Sequence, residues 1–312
     1  MCPAGVRYGE LLVEGRALLR RERAPSWRER GLEWLVTHPL AFAILAATAR
    51  LLRRALPGHL RPLAATLQRR YRGPRLQPGA APVRGRVGLL TGCVGRHVQP
   101  SAVAAAVRVL AQLGWDVEIP PAQGCCGAIA RHAGAPAEGA AAGVATLRTF
   151  SGVSHVLVLD SGCVESLRAA ADGVEVQELL AFVASDSERH RLGSLSDTPA
   201  PVALHLPCTQ RNVTFGSTAA RAVIELSTGS MPQLLGSSGC CGAAGSQLLL
   251  DPERAANFRQ PLLDAVAASG AATLATGNVG CRMHLQAGLR ADPATASCRV
   301  VHPIELLAER LP

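Results

Sequence analysis

Residues 124–127 read Gly-Cys-Cys-Gly, and residues 239–242 repeat the same four residues. In both places another cysteine stands 32 residues before the pair, and a further cysteine follows later in a turn of small residues. A pattern that recurs at a fixed period predicts two copies of one structural unit, each with a cluster of thiolates. The two sets of cysteines are Cys93, Cys125, Cys126 and Cys163, and Cys208, Cys240, Cys241 and Cys281.

The positive charge of the chain is concentrated at its N-terminus, and every basic side chain apart from histidine is an arginine. Residues 1–82 contain 15 arginines and 5 glutamates, whereas residues 83–312 contain 17 arginines and 18 acidic residues. The basic segment predicts contact with an acidic partner or a membrane surface. Nucleic acid is not expected as a partner, because no binding motif or pattern of stacking aromatic side chains accompanies the arginines.

The start of the sequence lacks the charged residues, apolar stretch and cleavage site of a secretory signal. The most apolar run, residues 39–52, is shorter than the ~20 residues that a membrane-spanning helix needs, and it contains Arg50. We therefore expect a cytoplasmic protein. Thiols stay reduced in the cytoplasm, so ten cysteines indicate metal binding rather than disulfides.

Three regions differ in their sequence pattern. Residues 1–82 are predicted to be all-helical, and Ser26 with Glu29 fits a capping box. From residue 83 onward short apolar strands alternate with helices, which predicts α/β units with parallel sheets. The predicted fold class is therefore α/β, with a first cysteine-rich domain at 83–198 and a second at 199–312.

Four of the eight cysteines follow directly after predicted strands. In parallel sheets, ligands gather at the carboxyl ends of the strands. We therefore expect each set of cysteines to converge at one edge of its sheet. The predicted strands cover residues 87–90, 117–119, 155–159, 202–206, 233–235 and 272–275.

The flanking glycines indicate a bulky cofactor, because glycine lets the backbone approach a ligand closely. Zinc sites commonly use Cys-x-x-Cys spacing, which the chain lacks, while thiolate-rich sites in a reduced compartment favour iron–sulfur clusters. A single Cys-Cys-Gly run would be explained as well by buried thiols or a redox-active pair. Two copies with identical spacing favour iron–sulfur ligation.

The pattern Cys…Cys-Cys-Gly…Cys-x-x-Cys resembles the cysteine-rich CCG domain. This domain is found in heterodisulfide reductase, in lactate-utilisation proteins and in the iron–sulfur subunit of glycolate oxidase. In the heterodisulfide reductase it holds unusual four-iron clusters with five cysteines each. Here the first cysteine of the last motif is replaced by Asp160 in one copy and by Asn278 in the other. The resemblance implies that Asp160 could ligate iron through oxygen, whereas Asn278 is a poor substitute. Three possibilities remain for each site: a non-cubane cluster, an ordinary [4Fe-4S] cluster or no cluster.

Two segments resemble the glycolate oxidase iron–sulfur subunit in particular. Residues 1–9 read MCPAGVRYG, and residues 276–286 read TGNVGCRMHLQ. In that family the first segment follows a ferredoxin module with two clusters, which this sequence does not contain. The resemblance therefore implies that Cys2 is the last metal ligand of a module whose other ligands are missing.

The resemblance implies an electron-transfer subunit of a flavin-dependent glycolate, or 2-hydroxy acid, oxidase. Flavin-containing subunits would be its partners and would carry out the chemistry, so no catalytic residue is expected on this chain. Electrons would pass towards the quinone pool, with a peripheral place on the inner membrane. Three alternatives stay open: a heterodisulfide-reductase-like protein whose cluster itself reduces disulfides, a lactate-utilisation-type CCG protein, or a scaffold subunit with zinc or empty sites.

Overall fold

The computed structural model describes residues 8–73, 75–78, 82–185, 188, 190, 192, 201–235 and 239–311. An N-terminal helical segment is followed by two mainly parallel sheets, each surrounded by helices. The predicted α/β fold class with a helical N-terminal segment is confirmed. The predicted ligand Cys2 and the predicted boundary between residues 198 and 199 lie outside the described residues.

The N-terminal segment is helical, as predicted. The capping box forms as expected, because Ser26 Oγ accepts from the Glu29 amide at 3.3 Å and Glu29 Oε2 accepts from the Ser26 amide at 2.7 Å. The last helix of the segment is short, since the chain then turns to the first domain, where the Gln68 amide donates to the His97 carbonyl. The elements are α1 (Tyr8–Glu22), α2 (Trp27–Thr37), α3 (Pro39–Leu51), a 3-10 turn (Arg53–Ala55) and α4 (Arg61–Ala64).

Within the described ranges, no single helix has the length and apolar character needed to cross a membrane. Helices α2 and α3 together meet that requirement, but they bend by 106° at their junction.

The first domain contains a five-stranded sheet in the order β1-β3-β2-β4-β5. All neighbouring strands are parallel except β1, which runs antiparallel to β3 at the edge. The strands are β1 (Leu76–Gln77), β2 (Gly85–Leu90), β3 (Trp115–Glu118), β4 (His155–Val158) and β5 (Glu175–Glu178). The helices are α5 (Gly95–Val98), α6 (Pro100–Gln112), α7 (Ala128–His132), α8 (Pro136–Leu147), α9 (Ser161–Ala170) and α10 (Leu179–Val183).

The second domain repeats this arrangement in a four-stranded parallel sheet with the order β7-β6-β8-β9. The order matches β3-β2-β4-β5 of the first domain strand for strand, so the repeat read from the cysteines is also a repeat of topology. The strands are β6 (Val202–Leu204), β7 (Gln233–Leu234), β8 (Thr273–Ala275) and β9 (Arg299–Val301). The helices are α11 (Cys208–Asn212), α12 (Ser217–Thr228), α13 (Gln247–Leu250), α14 (Pro252–Ser269), α15 (Val279–Leu289) and α16 (Pro303–Ala308).

The two domains share a hydrophobic core. Leu110 of α6 and Leu180 of α10 belong to the same buried cluster as Val223 of α12 and Ile304 of α16. Burial of apolar surface stabilises the folded state by about 25 cal/mol per Å². The joint core therefore stabilises the packing of the two sheets against each other. The two sets of cysteines are therefore carried on one rigid framework.

Candidate metal centres

The first set of cysteines converges at the carboxyl edge of the first sheet, as predicted. Cys93 lies in the turn after β2, the vicinal pair lies in the loop after β3, and Cys163 lies in the first turn of α9 after β4. The Sγ atoms of Cys93 and Cys125 are 3.7 Å apart, and those of Cys126 and Cys163 are 2.9 Å apart. Four thiols from three chain segments thus share one site.

The second set occupies the equivalent edge of the second sheet. Cys208 begins α11 after β6, the pair follows β7, and Cys281 lies in the first turn of α15 after β8. The Sγ atoms of Cys241 and Cys281 are 2.7 Å apart, and the thiol of Cys208 donates to Cys240. This site is closer to the surface, since Cys208 is exposed while Cys241 and Cys281 are buried.

In both sites the first cysteine of the vicinal pair is the preferred thiolate. The thiols of Cys126 and Cys93 donate to Cys125, and this lowers the pKa of Cys125 to about 3. The thiols of Cys208 and Cys241 do the same for Cys240 and hold its pKa well below the usual range. A thiolate is the form of cysteine that binds metals.

The glycine after each pair allows this geometry. The amides of Gly127 and Gly242 each donate to the sulfur two residues earlier, Cys125 and Cys240, at 3.4 Å. Both glycines have positive φ, of 82° and 78°. A side chain at Gly127 would place its Cβ 1.9 Å from the Gly139 carbonyl oxygen of α8. The run Cys-Cys-Gly is therefore required by backbone conformation and by the closeness of the neighbouring helix.

The donor set fits an iron–sulfur cluster. Each site supplies four sulfur ligands, a softness that favours iron–sulfur and related thiolate centres. Backbone N–H groups already point at the sulfurs, as they do around such clusters. In the described part of the chain no group of three or more His, Cys, Asp or Glu side chains surrounds a single metal ion. The sulfurs instead meet in pairs, such as Cys93 with Cys125 and Cys126 with Cys163.

Asp160 and Asn278 cap helices instead of facing the thiols. Asp160 Oδ1 accepts from the Gly162 amide at 2.8 Å and from Asn278 Nδ2 at 3.2 Å. Its Oδ2 accepts from the Val279 amide at 2.6 Å, and burial raises the pKa of this carboxyl to about 6. The side chain of Asn278 accepts from the Cys281 amide at 3.2 Å. Iron ligation by Asp160 stays a prediction, and it would require these bonds between α9 and α15 to break.

Two arginines beside the sites are missing from the sequence prediction. Arg96 follows Cys93 by three residues, and Arg211 follows Cys208 by three residues. A repeated Cys-x-x-Arg at the same 115-residue offset as the cysteines was the signal that could have identified them. Both side chains reach the segment just before the vicinal pair.

A buried histidine distinguishes the second site from the first. His205 Nδ1 lies 3.1 Å from Thr276 Oγ1, and burial lowers the pKa of His205 to about 4. The equivalent position in the first repeat is the buried Leu90. His205 is thus a neutral neighbour of the second set of thiols, near Cys240.

The fold and the two matched sets of thiols define a tandem α/β protein with two equivalent clusters of four cysteines. The cysteine-rich domain family CCG matches the chain twice, at residues 87–168 and 202–286. The chain therefore belongs to the cysteine-rich CCG domain family.

Curated relatives show which members of the family the chain is similar to. The probable glycolate oxidase iron-sulfur subunit of Bacillus subtilis is 27% identical over 355 residues, which cover 99% of this chain and 79% of the relative. The glycolate oxidase iron-sulfur subunit of Escherichia coli is 27% identical over 335 residues, with the same coverage of both chains. Lactate utilization protein A of Macrococcus caseolyticus is 25% identical over 240 residues, which cover 71% of this chain and 96% of the relative. These findings confirm the resemblance to the glycolate oxidase iron–sulfur subunit.

Proposed function

We propose that the protein is the iron–sulfur electron-transfer subunit of a flavin-dependent 2-hydroxy acid oxidase or dehydrogenase, with glycolate as the substrate of the complex. The names of the relatives that match 99% of the chain support this role. In the proposal, flavin-containing subunits oxidise the substrate, and this chain passes the electrons towards the quinone pool.

The observation that carries the proposal is the duplication of one thiol arrangement on a single framework. The first centre would be held by Cys93, Cys125, Cys126 and Cys163, and the second by Cys208, Cys240, Cys241 and Cys281. A bound four-iron cluster would supply one-electron transfer. The chain itself fixes the sulfurs at strand ends, aims N–H groups at Cys125 and Cys240, and buries the vicinal pair of the first site.

The different exposure of the two sites suggests an order of transfer. Cys125 and Cys126 of the first site are buried, whereas Cys208 of the second site is exposed. An external partner can therefore approach the second site more closely. We propose that the second site is the one that exchanges electrons with a partner outside this chain.

The decisive experiment is the iron, acid-labile sulfide and zinc content of anaerobically purified protein. We expect about four irons and four sulfides for each occupied site, and paramagnetic resonance spectra of the clusters after reduction or oxidation. The double variants C125S/C126S and C240S/C241S should each lose the iron and sulfide of one site. C298S is the matched control, because Cys298 lies outside both sets and should keep the full content. Zinc or no metal in the wild type would refute the proposal and favour the scaffold alternative.

The N-terminal helices are the proposed docking surface for the flavin-containing subunits. Large apolar side chains are exposed there, including Trp27 (74%), Leu40 (81%) and Ile44 (68%). Exposed apolar patches of this kind are typical of interaction sites. L40E/I44E should weaken co-purification of the flavin subunits, whereas L234E, on the exposed edge strand β7, should not.

A cytoplasmic location with these helices at the inner membrane is the alternative arrangement. Binding of the chain alone to anionic vesicles would favour it.

A second candidate substrate follows from the match to lactate utilization protein A. In that case the complex would oxidise lactate instead of glycolate. The two substrates can be separated by adding each to the assembled complex and following reduction of the clusters by their visible absorbance. Faster reduction of the clusters with lactate than with glycolate would mean that lactate is the substrate of the complex.

A further inference from the structure

Arg96 is buried beside the first site, and its side chain joins two parts of that site. Its Nε donates to the Gly92 carbonyl at 2.9 Å, in the turn that carries Cys93. Its Nη2 donates to the Gln123 carbonyl at 2.5 Å, two residues before Cys125. The guanidinium therefore holds the vicinal pair against the turn of the first cysteine.

The charge of Arg96 needs a counter-charge. The residue is only 5% exposed, and a buried guanidinium is costly unless an anion lies near it. No carboxylate pairs with Arg96 among the residues for which the structure gives positions. Burial and the charge of Arg70 lower the pKa of Arg96, and the groups that act against them are the thiols of Cys93 and Cys125. The anion that balances this charge is thus at the metal site itself.

The second repeat has a partly buried arginine at the equivalent position. Arg211 lies three residues after Cys208 and donates through Nη2 to the Gly239 carbonyl at 3.5 Å, directly before Cys240. Its charge acts on His205, which in turn lies near Cys240. Two arginines at equivalent positions, each bonded to the start of a Cys-Cys-Gly loop, indicate a requirement of the site.

We propose that Arg96 and Arg211 are positioning residues that hold each Cys-Cys-Gly loop and place a fixed positive charge beside the cluster, which raises its reduction potential. Reduction adds one negative charge to a cluster that is already surrounded by thiolates. A fixed positive charge beside the site stabilises the reduced form more than the oxidised form. This inference rests on the proposed function, since it concerns the same two sites.

The test uses full-length protein with one site removed. C240S/C241S retains only the first site. The midpoint potential of that site is measured by a redox titration that is followed by electron paramagnetic resonance. Adding R96M should shift the one-electron equilibrium towards the oxidised form at least about tenfold, which corresponds to about 59 mV. R96K keeps the charge without the planar fork and should restore most of the shift. R211M should act in the same way on the second site in the C125S/C126S background.

Two controls make the result specific. R96M in the C125S/C126S background should leave the second site's potential unchanged. R168M removes an arginine that also donates to a backbone carbonyl, that of Val176, and should leave the first site's potential unchanged.

An unchanged potential in R96M protein that keeps its iron would overturn the inference. An R96K potential as low as that of R96M would also overturn it, because the charge would then have no effect. Loss of iron from the first site alone in R96M would support the positioning role, whereas equal loss from both sites of a two-site protein would contradict it. If the single-site proteins without arginine substitutions hold no iron, the proposed function fails instead.

Discussion

At the scale of single residues, the Cys-Cys-Gly run combines chemistry with a steric requirement. The cysteines could be recognised from the sequence because their spacing repeats. The reason for the glycine could be predicted only in part. A positive φ is a known use of glycine, but the contact with Gly139 of α8 depends on how two distant segments pack.

Alanine at Gly127 should therefore be far more harmful than alanine at another glycine of similar φ. The added Cβ would meet backbone atoms of Gly139, so α8 or the loop must move. We expect G127A to lose several kcal/mol of unfolding free energy, measured by denaturant titration, together with the iron of the first site.

Gly173 is the matched control for this change. Its φ is 72°, but nothing lies within 4 Å of an added Cβ. G173A should cost only about 1 kcal/mol and leave the iron content unchanged. Similar losses for the two variants would show that φ alone, and not the approach of α8, explains the glycine.

Asp160 has contacts that sequence reasoning at the residue scale does not reveal. Its position after β4 and before Cys163 suggested a ligand by analogy with a cysteine of the family. The structure directs its carboxylate to the amides of Gly162 and Val279. The second partner lies in the other domain, so no local pattern could have predicted it.

At the scale of elements, six of the nine strands in the described residues were predictable, and β1, β5 and β9 were not. The strands from β2 to β4 and from β6 to β8 were predicted within about two residues, because their short runs are bounded by glycine, proline or cysteine turns. Strand β5 (Glu175–Glu178) lacks an apolar run, because it begins and ends with a glutamate, and only two of its residues are buried. Strand β1 has only two residues and is formed by pairing with β3. Tertiary pairing, rather than local pattern, specifies such strands.

Helix α16 has a cap that makes stability depend on pH. The side chain of His302 accepts from the Ile304 amide and donates from Nε2 to the Leu159 carbonyl of the first domain at 3.0 Å. This geometry needs a neutral imidazole. Burial lowers the pKa of His302 from 6.5 to about 4. Between these two values the unfolded chain binds a proton that the folded chain does not, so stability falls as the pH decreases through this window.

Replacing His302 by glutamine should reduce this acid sensitivity. Between pH 7.5 and pH 5 the histidine accounts for a loss of about 2 kcal/mol of unfolding free energy. H302Q should therefore lose about 2 kcal/mol less than the wild type over this range, measured by denaturant unfolding at both values. H59Q, at an exposed position, should keep the wild-type difference. A wild-type pH dependence in H302Q would mean that the cap tolerates a charged imidazole.

At the scale of the whole molecule, the two candidate metal sites are connected through the domain interface. Helices α9 and α15 carry Cys163 and Cys281 in their first turns, and their N-termini meet at Asp160. The Ser161 amide also donates to the Gly277 carbonyl at 3.1 Å, and the Ser161 and Thr209 hydroxyls are 2.7 Å apart. This polar junction fixes the relative position of the two sets of cysteines.

Removing the carboxylate of Asp160 should loosen this junction. D160A leaves the amides of Gly162 and Val279 and the Nδ2 of Asn278 without their shared acceptor, and each unpaired buried donor is destabilising. We expect a loss of about 3 kcal/mol in unfolding free energy, because the raised pKa of the buried carboxyl offsets part of the lost bonding.

Hydrogen exchange can show whether the loss is local to the junction. In D160A, exchange should become faster in the first turns of α9 and α15 together, although these helices belong to different domains, while the central strands β2 and β6 stay protected. D172A, at an exposed position of the first domain, should change neither region. Faster exchange in α9 alone would mean that Asp160 caps only its own helix. In that case the joint core of α6, α10, α12 and α16 would be sufficient to hold the two sites in register.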